Sequence, residues 1–252
     1  MSQGDYQSAN PYASFGATVA DSPADERTSF IRKTYTHLAV AIYAFAALEW
    51  FYFTAFDLDA VLPQVFGVTP WMPLIIFGGF MVVSWVANSW AQSSTSVTMQ
   101  YAGLSLYVVA ESIFFVPLLW IAEQQAGLRL GDGVSIGIIP AAGVITLAVF
   151  GGLTAFVWLS GKDFSFLGAG LGIASFAILG IIIASMVFGM SLGIWFSAAM
   201  ILFASLYILY DTSNVMHRYR PGQHVAASLA LFASVALLFW YVLRVLIELN
   251  RD

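Results

Sequence analysis

The chain contains no cysteine among its 252 residues. That excludes a disulfide, a thiolate nucleophile and any Cys-ligated zinc or iron–sulfur centre. Charge is almost as scarce, at 9% of residues, against about 25% in soluble domains. Nine Lys plus Arg form no dense basic face, so nucleic acid is not an expected partner. Only two of the nine are lysines, Lys33 and Lys162, and neither lies within an apolar run, so no span offers a Schiff-base lysine. Three histidines, His37, His217 and His224, without a His-Glu-x-x-His motif, do not make a zinc hydrolase. With no Gly-x-Ser-x-Gly either, the chain reads as a non-enzyme without a resident cofactor or metal.

What is abundant is hydrocarbon. Hydrophobic residues make up 60% of the chain and the mean hydropathy is +0.84. A bilayer core about 30 Å thick needs about 20 helical residues to cross it. Apolar runs separated by polar breaks give seven such segments, at 35–56, 71–91, 99–121, 135–158, 166–188, 192–211 and 225–247. The expected fold class is therefore all-α, a seven-helix bundle in the lipid bilayer. The break between the fifth and sixth spans, Phe188 to Gly193, is the weakest, but 166–211 is too long for one helix. Residues 1–30 hold four acids and no apolar run, and read as a disordered cytosolic tail ahead of a membrane domain spanning 31–252.

Orientation follows from Lys and Arg, which concentrate on the cytoplasmic side. With the N-terminus inside, Arg27, Arg32, Lys33, Lys162, Arg218 and Arg220 are cytoplasmic, while Arg129 and Arg251 lie outside. Seven spans then place the C-terminus outside. Small residues mark expected helix contacts. They are Gly168-x-x-x-Gly172 and Gly180-x-x-x-Ala184 in the fifth span, and Ala226, Ala230 and Ser234 in the last.

Ionisable residues at membrane depth are costly, about 2.5–3.5 kcal/mol each on insertion scales, so each needs a partner or a purpose. Four qualify: Glu49, Glu111, Asp211 and Arg244. Glu49 and Arg244 fall at matching depths and form a candidate charge pair, with Glu111 as the other candidate; the alternative is that Arg244 snorkels to its helix end. Asp211 closes the sixth apolar run. It reads either as a cap in the turn-forming cluster Asp211-Thr212-Ser213-Asn214, or as an ion or proton site at the inner mouth of the bundle. In the second reading Tyr207, Ser234 and His217 are its candidate companions.

Three stretches together are similar to a known family: Ser160-Gly161-Lys162-Asp163-Phe164-Ser165-Phe166-Leu167-Gly168, then Tyr210-Asp211-Thr212-Ser213-Asn214, then a last span containing Arg244 and ending in Arg251-Asp252. With Arg32-Lys33-Thr34-Tyr35 at the start of the first span, they resemble the Bax inhibitor family of membrane proteins, most closely its bacterial YccA branch. The resemblance covers residue 27 to the end. It implies a seven-helix fold with the last helix enclosed by the other six, and a place in the bacterial inner membrane. It also implies two functions. One is partnership with the membrane protease FtsH, which handles the protein by its N-terminal tail and is restrained by it. The other is a pH-sensitive calcium leak in which two aspartates on the last two helices share protons. Asp211 matches the first aspartate, and the second position falls on Ser234. An Asp beside a Ser lacks the mutual repulsion on which a shared proton depends. Position 234 therefore favours the protease reading over the leak.

Overall fold

The computed structural model describes residues 18–93, 96–125, 127–129 and 135–250. Among them, seven helices are long and apolar enough to cross a membrane. In chain order these are α1 (Ala24–Ala55), α3 (Met72–Ala91), α4 (Val97–Glu123), α5 (Ile138–Ser160), α6 (Leu167–Phe188), α7 (Gly193–His217) and α8 (His224–Leu249). A short helix, α2 (Leu58–Gly67), occupies the break after α1 and is too short to span. Asp57 starts it by accepting a hydrogen bond from the Ala60 amide at 3.2 Å. A two-residue antiparallel ladder, β1 (Leu128–Arg129) with β2 (Ser135–Ile136), links α4 to α5.

The expected spans are all present, and the weak break is explained by glycine. Gly189 ends α6 at φ +65 and Gly193 opens α7 at φ +63, left-handed conformations that glycine adopts without steric penalty. Two boundaries differ from expectation. α1 begins at Ala24, inside the stretch assigned to the tail, and Phe30 and Val19 are buried against the bundle. The Val19 amide donates to the Tyr219 carbonyl at 3.0 Å, which ties this segment to the end of α7. The rest of the assigned tail, residues 1–17, lies outside the described residues. The second difference is that α7 runs on past Asp211 to His217.

α8 is the central helix. In its most apolar window 61% of residues are buried, against at most 39% in any other span. It packs on α1, α4, α5 and α7 and more lightly on α3, while α6 faces it across a cleft. The small-residue stripe on α8 fits this, with Ala226 and Ser234 buried. The stripe on α6 is only partly used: a Cβ on Gly168 would meet the Tyr210 ring at 2.7 Å, whereas Gly172 and Gly180 face open space. The tightest helix approach is elsewhere, at Gly103 on α4. A Cβ there would lie 2.5 Å from the Ala87 carbonyl oxygen and from the Ala91 nitrogen of α3.

Candidate functional site

Asp211 sits within a continuous helix, not at its end. Its neighbours Thr212, Ser213 and Asn214 are turn formers in sequence, yet all three are buried helical residues. The polar groups of Ser213 and Asn214 are met from the α5–α6 loop. The Phe164 amide donates to Ser213 Oγ at 2.8 Å, and Ser165 Oγ donates to Asn214 Oδ1 at 3.2 Å. Two of the sequence stretches that carry the family resemblance therefore bind each other and hold α7 in register. A capping role for Asp211 is excluded, because the helix closes at Arg218, whose amide donates to the Asn214 carbonyl at 3.0 Å.

The Asp211 carboxylate is buried and accepts a short hydrogen bond from Ser234 Oγ of α8. Both line a cleft of about 670 Å³ bounded by α3, α4, α6, α7 and α8. On α7 the cleft wall extends from Leu192 to Asp211. At about 1.5 Å per residue this is roughly 28 Å, close to the hydrocarbon thickness of a bilayer. Glu111 faces the same cleft from the middle of α4, with one carboxylate oxygen lacking a partner among the described residues. Arg244 lines it toward the far end. Tyr207, one turn before Asp211, is also on the wall and shares a hydrogen bond with Ser175 of α6 at 2.9 Å. Stacked rings form part of the remaining wall, with Phe80 and Phe114 at 4.5 Å and Phe114 and Trp240 at 4.8 Å.

Two expectations are corrected by this geometry. Glu49 and Arg244 do not pair. Glu49 lines a separate cavity with Phe232, Val235, Ala236 and Phe239 of α8, whereas Arg244 shares the cleft face with Ala230, Ala233 and Ser234. The helix itself stands between them. Among the described residues no carboxylate lies within ion-pair reach of Arg244. His217 likewise turns away from the cleft: its Nδ1 lies 3.7 Å from Asp163 Oδ1 and 3.0 Å from the Ser213 carbonyl. Hydrogen bonds from Ser165 hold the Asp163 carboxyl below the usual range, with Ser213 and His217 adding to the effect. What sequence reasoning missed is that Glu111 belongs with Asp211, on one cleft. Spacing along separate helices carries no signal for that.

No group of three or more His, Asp or Glu side chains converges among the described residues. Asp211 and Ser234 offer few of the six to eight oxygens that calcium takes in a resident site.

Sequence comparison identifies the family. The family model described as inhibitor of apoptosis-promoting Bax1 matches residues 27–252. The chain belongs to the Bax inhibitor family. An uncharacterised protein of Pseudomonas aeruginosa is 30% identical over 223 residues, covering 87% of this chain and 89% of that protein. Bax inhibitor 1 of Schizosaccharomyces pombe is 30% identical over 191 residues, 70% of this chain and 71% of that one. Protein lifeguard 4 of Mus musculus is 33% identical over 138 residues, 52% and 56% of the two chains. This member of the family is thus a multi-pass helical membrane protein with bacterial relatives.

Proposed function

We propose that the chain is a cation leak, with calcium the expected cargo, in which Asp211 is the inner gate and Ser234 stands in place of a second aspartate. The observation that carries this reading is the placement of Asp211. It is a buried carboxylate in mid-helix, bonded across to the central helix, on a cleft about as long as the bilayer is thick. Glu111 supplies a second carboxyl group, which Ser234 lacks, further along the same path. A ring or file of carboxylates is how cation pathways attract their ion. The six-to-two bias of Lys and Arg supports a cytosolic N-terminus, with Asp211 then at the inner mouth. The bacterial relatives support residence in a bacterial inner membrane, and the motif resemblance supports a branch like that of YccA.

Purified protein in liposomes loaded with a calcium dye tests the proposal, at slightly acid and slightly alkaline pH. Wild type is expected to pass calcium above protein-free vesicles. Asp211→Asn, which removes the carboxyl group at the mouth, is expected to lower that flux on the order of tenfold or more. Flux no greater than in empty vesicles, or an Asp211→Asn variant that conducts like wild type, overturns it. Partnership with FtsH through the tail rests on residues 1–17, outside the described residues. Tight vesicles, with the full-length protein co-purifying with FtsH and slowing its turnover of membrane substrates, would put that reading in place of the leak.

A further inference from the structure

The face of α8 turned away from the cleft borders a second cavity, of about 430 Å³, between α1, α4, α5 and α8. Its size falls within the range of small-molecule sites. The walls are apolar and largely aromatic, with Phe45, Phe53, Phe232, Phe239 and Leu119. Two buried polar side chains reach into it, Glu49 from α1 and Thr146 from α5, 7% and 2% exposed. Among the described residues, neither oxygen of the Glu49 carboxylate has a hydrogen-bond partner, nor does Thr146 Oγ1. A buried carboxylate and a hydroxyl without partners are destabilising, by several kcal/mol in the case of a charge, unless something meets them.

The way in is lateral. At the end of the bundle where α1 begins, α1 and α5 touch, and Trp158 Nε1 donates to the Tyr35 hydroxyl at 3.2 Å. Glu49 lies fourteen residues further along α1, about 21 Å at 1.5 Å per residue. At that level the cavity parts the two helices. Its rim residues Trp50 and Leu147 are 71% and 53% exposed, on faces that a membrane would cover with lipid. Glu123 of α4 is a second carboxylate on the lining.

These features select the chemistry of an occupant. A purely apolar molecule would leave three buried oxygens unmet. An anion would face two carboxylates. An ammonium group carries three donors and no acceptor, which matches two carboxylate oxygens and a hydroxyl, and it is further favoured beside aromatic rings. We propose that this cavity binds a lipophilic amine, a single alkyl or aryl body bearing a primary ammonium, which enters sideways from the membrane. The ammonium sits on Glu49 and Thr146, and the body fills the space among the phenylalanines.

The test uses the full-length protein in lipid nanodiscs and three probes of equal chain length: tetradecylamine, tetradecanol and tetradecanoic acid. The amine is expected to bind saturably and raise the melting temperature, the alcohol much less, and the acid not at all. Hexylamine, which partitions weakly into lipid, separates entry from the bilayer from entry from water: the lateral route predicts that it binds far more weakly. Glu49→Gln is expected to weaken tetradecylamine at least about tenfold, as the loss of a charge-assisted hydrogen bond would. Glu26→Gln, exposed on the same helix, leaves it unchanged. Gly143→Leu provides an independent check, since nothing lies within 4 Å of a Cβ placed there and leucine favours the helix. It should fill the cavity and abolish amine binding without lowering the melting temperature of the free protein. Equal responses to amine and alcohol, or an amine response that survives Glu49→Gln or Gly143→Leu, would overturn the proposal.

Discussion

Asp211 owes its place in the cleft to the residues that follow it. Thr212, Ser213 and Asn214 favour turns in isolation, and reading them as a turn ends the helix at the aspartate. Here tertiary hydrogen bonds from Phe164 and Ser165 outweigh that local preference and carry α7 on to His217. A sequence shows which side chains seek partners; it does not show that two segments 50 residues apart supply them to each other. Two consequences are measurable at single residues. Ser234→Ala leaves the buried Asp211 carboxylate without its donor, and should cost about 1–3 kcal/mol of stability, read as a lower melting temperature in detergent. Asp163 concerns the loop. Its carboxyl is held below the ordinary range, so the contribution to stability is in place above the unfolded value and is lost as pH falls through the folded one. The gap in melting temperature between wild type and Asp163→Ala should therefore close only below about pH 4, near the unperturbed carboxyl value. A gap that closes in the neutral range would assign the effect to another group.

Among the helices, small residues decide how close two axes come, and they do so one position at a time. Four-residue glycine spacing marked α6, yet only Gly168 of that stripe meets a neighbour, while Gly103, outside any such motif, lies against the α3 backbone. Spacing alone cannot tell a contact face from a lipid face, because both are apolar. Gly103→Ala should push α3 and α4 apart and destabilise by about 1–3 kcal/mol, the usual range for overpacking. Gly172→Ala enters open space. It should be neutral or stabilising by up to about 1 kcal/mol, as alanine is the better helix former. Thermal melts of the two variants side by side check both signs, and the reverse order would mean that the α3–α4 approach is misplaced.

For the molecule as a whole, the number and extent of the spans were legible, because lipid imposes a length and an apolar composition that the chain displays directly. The rotation of each helix about its axis was not. That is set by packing against α8, and it places Glu49 of α1 and Arg244 of α8 in separate cavities on opposite sides of α8. Sidedness is open to direct test, since a chain without cysteine carries no background label. A cysteine at Ser165 should react with an impermeant thiol reagent only from the cytosolic side, and one at Ser191 only from the opposite side. Labelling of both from one side would contradict the alternation of spans.

Ions are proposed to move along the cleft between α6 and α8, and blocking that path is the most direct test. Ala233 lies on the cleft wall one residue before Ser234, and Ala233→Cys changes it little. Calcium flux through this variant in liposomes should equal that of wild type until a water-soluble methanethiosulfonate reagent is added, and should then fall to the level of empty vesicles. A cysteine that is modified, as its mass shift would show, while calcium continues to pass would contradict conduction along the cleft.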